Sequence, residues 1–423
     1  MFDLDGYLAK LGSAADDLAL RHRPCPFGLA LADSIDHLRD ADWDAVVGDR
    51  FFMGRDYLRA IERAKPPRMG FRYALGYDGR TPVAAAAFQV LDIGLDAFGS
   101  RAPIAKPQTF GQALRQVRNK VGEALGDGGA PRLLINGNGL VTGEHGFAIA
   151  PGVDPRAAMH GLAEATYRIR RAEKLHGAVG SVLVKDFGTT ARSFSDELVR
   201  FGYHAFEVDP NMVVEIDPAW RSFDDYLGAF SAKYRRKAKD AGKRAKALVC
   251  ERLDRATIER EAASLYALYL EVHDKAHFRL ANPGADYFPA LAEALGDDLV
   301  VRRWTLDGTA VGCSIALGRG THFEAHMVGL DYRVSNDQGV YTSALYDFVA
   351  DAIQRRAQVL GMGRTALEIK SSIGAVPRPM TCYLRHGNPV GNRLIAPLVA
   401  QLTPTPWTPR SPFKDAPEEP TSK

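Results

Sequence analysis

The chain has 423 residues, 46% of them hydrophobic and 25% charged, with a formal net charge of +3. That length fits two cores of roughly 200 residues each, and so even a charge balance does not demand a nucleic-acid partner; DNA is not expected. Cys25, Cys250, Cys313 and Cys382 are scattered without paired spacing, so neither a disulfide framework nor a zinc site is expected.

The first residues, Met1 to Gly6, are acidic and lack a basic, apolar leader. The most apolar stretch, 82–91, is far too short to span a membrane. A cytoplasmic protein is expected, with peripheral membrane contact left open. Residues 1–26 read as a helical extension and linker, and 27–31 as a strand. Two helical patterns follow, the second at 54–64. Runs at 71–77 and 81–93 flank Asp78-Gly79-Arg80, a hairpin signal. Residues 133–141 predict a strand and 155–174 an amphipathic helix with Pro155 in its first turn. A buried strand at 179–185, a helix at 193–201 and strands at 203–208 and 212–216 complete a first unit, 27–217.

A second unit, 218–402, repeats this order. Helical patterns at 223–248, 257–276 and 287–295 precede a hairpin of 299–306 and 309–317 across Asp307-Gly308. A strand at 321–329, a long helix at 340–356 and strands at 366–370 and 380–384 follow. The fold class is therefore α/β (α+β), with two tandem mixed-sheet domains flanked by helices. The repeat lies in element order, not in residue identity. The proline-rich tail, 403–423, lacks apolar periodicity and is expected to be disordered.

Three segments carry a family resemblance. They are Ser231-Ala232-Lys233-Tyr234-Arg235-Arg236-Lys237-Ala238-Lys239, Gly339-Val340-Tyr341-Thr342-Ser343-Ala344-Leu345-Tyr346, and Gly363-Arg364-Thr365-Ala366 through Lys370 and Gly374. With the order hairpin, strand, polar loop, helix, strand, the chain resembles the FemAB-like (BioF2-like) acetyltransferase domain of the GNAT superfamily over about 218–390; the first unit resembles it only in architecture. The resemblance implies two GNAT-like domains and transfer of an acyl or aminoacyl group to an amine. Acyl-CoA, with acetyl-CoA as the simplest case, would be a co-substrate and not a tightly bound cofactor. The acceptor would be a small-molecule, cell-wall or lipid-precursor amine, as in peptidoglycan synthesis.

Such an enzyme must hold a thioester, polarise its carbonyl and take a proton from the amine. The polar segment before the long helix, with Arg333, Gln338 and Gly339, and the helix-opening Tyr341 and Ser343, is placed to take donor phosphates through free N–H groups. Where GNAT proteins usually carry Arg/Gln-x-x-Gly-x-Gly/Ala, this sequence has one glycine and an acidic Asp337. On the strand 321–329, His322, Glu324 and His326 alternate onto one face, and Phe323, Ala325 and Met327 onto the other. Glu324 or His326 on that face suits a general base; the plain alternative is a solvated face or an internal hydrogen bond. A metal lacks an evident fourth ligand and is not expected. Lys370 suits a phosphate or carboxylate, and Arg364 the same with bidentate geometry; both also read as surface cations.

Lys233 and Arg236 belong to a cationic helix with a narrow apolar stripe. It is either a solvated face or a surface for an anionic partner such as tRNA, a nucleotide-linked precursor or a membrane. Tyr266, Tyr269 and Phe278 read as core aromatics. Three functions follow from different classes: acyl-CoA-dependent N-acyltransfer, aminoacyl transfer from aminoacyl-tRNA, and a non-catalytic binding scaffold.

Overall fold

Two Asp-Gly turns start the two halves. In the computed structural model, which describes residues 15–92, 132–275 and 281–414, the first turn joins β2 (Met69–Asp78) to β3 (Thr81–Asp92), with β1 (Gly28–Ala32) added on the outer edge of β2. The second joins β9 (Leu299–Leu306) to β10 (Thr309–Arg319). Asp307 and Gly308 there have φ of 49° and 77°, the double left-handed geometry that favours Asp-Gly in tight hairpins.

After each hairpin the same path follows. In the first half β4 (Arg132–Asn136) leads through the short β5 (Phe147–Ile149) and a long helix to β6 (Val179–Gly188), parallel to β4, and then to β7 (His204–Glu215). In the second half β11 (His322–Leu330) leads through a long helix to β12 (Val359–Gly361), parallel to β11, and then to β13 (Val376–His386). Between the halves, β8 (Val249–Arg252) forms the far edge beside β9.

The path across the sheet is β1-β2-β3-β4-β6-β13-β7-β12-β11-β10-β9-β8, with β5 paired to β3. The last strand of each half is thus exchanged. β13 lies against β6, β7 lies against β12, and the two exchanged strands pair with each other. A continuous sheet results, and the cores are shared across it as well.

Eight helices matter to the site and its supports. They are α1 (Arg55–Ala64), α2 (Pro155–Ala172), α3 (Ala232–Arg244), α4 (Arg255–Lys275), α5 (Tyr287–Leu295), α6 (Val340–Gln354), α7 (Leu367–Ser371) and α8 (Pro389–Val399). α1 of the first half packs on α5 of the second, and one apolar cluster runs from Phe52, Tyr57 and Leu58 to Tyr287, Leu291, Leu265 and Met327. On the opposite side α6 packs Ala344, Leu345 and Phe348 against Phe323, Leu330 and Leu360.

Several local expectations are corrected. The expected strand at 366–370 is the helix α7. Leu367 and Lys370 are both buried one turn apart, a pattern that five residues cannot distinguish from a strand. The helical pattern at 223–248 breaks at Phe230, which is extended and bridged to Phe413. The strands expected at 203–208 and 212–216 are one strand, β7. The strand expected to run to residue 141 ends at Asn136, where the chain turns into a loop.

The tail also differs from the sequence expectation of disorder, over 403–414. Phe413 stacks on Trp220 at 5.5 Å and meets Phe230 edge-on at 5.4 Å. The backbone of Ser231 donates to Pro412 O at 2.8 Å, and that of Thr405 to Asp209 Oδ1 at 2.7 Å. Tertiary partners order a segment that has no periodicity of its own. Residues 415–423, residues 1–14 and Phe278 lie outside the described residues; residues 15–22 are helical. Among the described residues no helix is long and apolar enough to cross a membrane.

Candidate active site

The parallel pairing of β11 with β12 lasts only three residues, from His322 opposite Val359 to Glu324 opposite Gly361. β11 continues to Leu330 with β10 on its other side. The strands therefore part just beyond Glu324, and a cavity of about 530 Å³ opens there. Its walls come from β11 (Glu324 to Val328), from α4 (Tyr269, Val272), from α6 (Tyr341, Leu345, Phe348), and from the segment after β12 (Met362 to Ala366). Leu140, Val141 and Thr142 of the first half close one side. A parting of strands leaves backbone N–H groups without ladder partners, a geometry suited to holding a carbonyl oxygen.

The pairing of β10 with β11 slips by one residue at His326. Ala316 faces Ala325 while Ile315 faces Met327. The extra residue is a β-bulge, a device that re-aims side chains. It corrects the expected alternation: Phe323 joins the core under α6 while Met327 joins the opposite core, with Tyr287 and Leu265. Nothing in the sequence pattern marks the bulge.

Glu324 and Lys370 both line the cavity. Burial pushes the Glu324 carboxyl up to about 8, although the Lys370 charge draws it down. Burial pulls the Lys370 ammonium down to about 8, and Glu324 opposes that fall. The Lys370 Nζ also donates to the carbonyl of Met362. α7 positions this lysine, and the tail braces α7, since the Arg410 N–H donates to Ser371 Oγ at 3.1 Å. Glu324 owes its place to Gly361 on the facing strand, because a Cβ there would run into its carboxylate. Two ionisable groups brought close to neutral pH are suited to moving protons.

His326 lines the same cavity. Its Nε2 is 2.7 Å from the Tyr287 hydroxyl, and burial drives its pKa down to about 3. It is a neutral imidazole across the physiological range.

Arg364 also lines the cavity, but its guanidinium is engaged by Asp186. Asp186 is fully buried, takes Lys185 on its other oxygen, and accepts from the Gly143 N–H at 3.1 Å. Burial alone would raise its pKa, yet Arg364 and Lys185 outweigh burial and hold it well below the carboxylate range. Lys185 donates to the carbonyls of Asn138 and Val141, each at 2.8 Å. The cluster ties the cavity-facing loop of the first half to the segment after β12. Asp186 and Lys185 were not singled out in the sequence; a Lys-Asp pair inside an apolar strand was the available signal.

The remaining sequence candidates divide. Tyr341 lines the cavity, while Arg333, Gln338, Gly339 and Ser343 are not among its lining residues. Arg333 is exposed and bonded to Asp331 at 2.6 Å. Gly339, at φ 66°, ends one short helix and begins α6. Lys233 and Arg236 lie exposed on α3, away from the cavity, with Lys233 over the Tyr234 ring. Tyr266 and Tyr269 stack on each other beside Phe288. Tyr332, Asn336 and Lys275 line the cavity without having been singled out, and Lys275 Nζ sits 3.2 Å from the centre of the Tyr332 ring.

The family model described as acetyltransferase (GNAT) domain matches residues 232–371, so this part of the second half is similar to that domain. No curated protein sequence matches significantly. Among solved structures, the chain is similar to a tandem GNAT protein from the clavulanic acid biosynthesis pathway, with 10% identity and a TM-score of 0.49, over 86% of this chain and 99% of that one. It is similar to FemX at 12% identity and a TM-score of 0.47, over 84% and 96%. It is also similar to L-PGS from Bacillus licheniformis at 11% identity and a TM-score of 0.42, over 81% and 96%.

Proposed function

We propose that this protein is a FemAB-like N-acyltransferase that moves an acyl group from an acyl-CoA thioester to an amine by direct attack, with Glu324 as the general base. The observation that carries this reading is that Glu324 and Lys370, both drawn toward neutral pH, line the same cavity where β11 and β12 part. The amine nitrogen forms the new C–N bond as the C–S bond breaks. Glu324 takes the proton from the amine, and Lys370 returns one to the leaving thiolate. Glu324 then releases its proton to solvent in the cavity and Lys370 takes one up, which restores both groups. Backbone N–H groups at the strand parting stabilise the oxyanion. Tyr341 and the opening of α6 are on the side that would receive the donor.

The test is release of free thiol from acetyl-CoA and longer acyl-CoAs with a panel of small and cell-wall-precursor amines. Wild type should turn over and Glu324→Gln should lose about 10²-fold or more; equal rates would end the assignment of Glu324.

A second reading has aminoacyl-tRNA as donor. The exposed cationic helix α3, with Lys233 and Arg236, favours it. Filter binding with charged tRNA separates the two. Retention that vanishes at modest salt counts as nonspecific phosphate contact.

A further inference from the structure

The hydrogen bonds behind His326 run in one direction. They begin in the first half of the chain, where the Gly139 N–H donates to Gln89 Oε1 at 2.7 Å. That orients the Gln89 amide, so its Nε2 faces Asn138 Oδ1 at 3.4 Å. The Leu140 N–H donates to the same Oδ1 at 2.9 Å. A backbone N–H can only donate, so the oxygen of Asn138 is fixed and its Nδ2 is the atom 3.0 Å from the Tyr57 hydroxyl.

Tyr57 therefore accepts from Asn138. Its own proton goes to its other neighbour, the Tyr287 hydroxyl at 3.2 Å. Tyr287, now an acceptor from Tyr57, donates to His326 Nε2 at 2.7 Å. Both phenols keep their protons at neutral pH, because burial raises their pKa values, that of Tyr57 to about 12. Gln89, Asn138, Tyr57 and Tyr287 are each no more than 3% exposed, so water does not compete along the chain. Any reversal of one hydroxyl would set two donors or two lone pairs face to face.

With Nε2 occupied as an acceptor, the neutral ring carries its proton on Nδ1. That atom is buried and has no hydrogen-bond partner among the described residues, although the ring lines the cavity. An unpaired buried N–H costs on the order of 1–3 kcal/mol, and such groups call for a functional explanation.

We infer that Asn138, Tyr57 and Tyr287 are positioning residues that hold His326 as the Nδ1-protonated imidazole, a fixed neutral ring at the cavity wall and not a base. Its bearing on catalysis rests on the acyl-transfer reading; the tautomer does not. The first half of the chain thereby sets the polarity of a group in the second half's cavity, across the packing of α1 on α5.

The test is nitrogen NMR of histidine-labelled full-length protein, with His326→Gln to assign the ring. The expected spectrum shows Nε2 unprotonated and Nδ1 protonated, unchanged from about pH 5 to about pH 8. A ring protonated at Nε2 alone, or one titrating near the ordinary histidine value, overturns the inference whatever the variants do. Tyr287→Phe should admit the Nε2-protonated form fully and Tyr57→Phe in part, because Tyr287 then no longer accepts from Tyr57 and is free to accept from the ring. An unchanged ring in folded Tyr287→Phe overturns the positioning role. In the thiol-release assay with acetyl-CoA, Tyr287→Phe should lower kcat/KM by about tenfold and leave the pH midpoint in place. A base role for His326 would move that midpoint. Absence of transfer in wild type would remove the acyl-transfer reading and leave the tautomer result standing.

Discussion

Replacing Glu324 by Gln should stabilise the protein at neutral pH while abolishing base catalysis. Gln has the shape and charge of the protonated carboxyl, the form that burial favours. In the unfolded chain Glu324 loses its proton near its ordinary 4.5, whereas in the folded protein it keeps it until about 8. The folded state therefore binds more protons between those values, and stability falls as pH rises through that window. At about pH 7 the deficit spans roughly 2.5 pH units, or about 3 kcal/mol at about 1.4 kcal/mol per unit.

For a chain of this length that corresponds to roughly 3 °C in thermal midpoint. The buried His326 has the opposite sign below its ordinary 6.5, since its pKa is depressed, and so the informative quantity is the difference between wild type and variant. It should be near zero at about pH 4.5 and grow to about 3 °C in favour of Glu324→Gln by about pH 7. Lys370, depressed to about 8, acts above this window. A variant-minus-wild-type difference that stays flat from pH 4.5 to 7 would show that Glu324 is not held protonated, and the reasoning for its role as a poised base would fail. In the transfer assay the wild-type rate should climb with pH toward about 8, as the carboxylate forms.

Gly361→Ala should expel the Glu324 carboxylate from the strand parting and cost as much transfer activity as Glu324→Gln, with an unchanged far-ultraviolet circular dichroism spectrum. Arg364→Ala leaves Asp186 buried with Lys185 alone; calorimetry should show a loss of about 3 kcal/mol, and a neutral result would assign Arg364 to ligand binding alone. Phe413→Ala removes the ring that packs on Trp220, Phe230 and Gly374. It should cost about 2–3 kcal/mol and raise hydrogen exchange in α7, lowering kcat through Lys370.

Element types, the two hairpins and the order hairpin, strand, helix, strand were legible because each is set by local chemistry. Asp-Gly supplies left-handed turn residues, β-branched and small apolar runs make buried strands, and Pro155 starts its helix behind the capping Asp154. The strand with Glu324 and His326 stood out for the same reason, ionisable groups alternating within an apolar run, whereas Lys370 was singled out by the family resemblance. Four features lay beyond any local signal. The exchange of β7 and β13 depends on pairing between residues about 170 apart. The bulge at His326 is a count of residues against a partner strand, which one strand's sequence does not contain. The tail's order comes from Trp220 and Phe230. The depth at which Glu324, Lys370 and Asp186 are buried, and hence the proton affinities that give them chemistry, follows from desolvation and neighbouring charge, quantities that exist only once distant segments have closed around them.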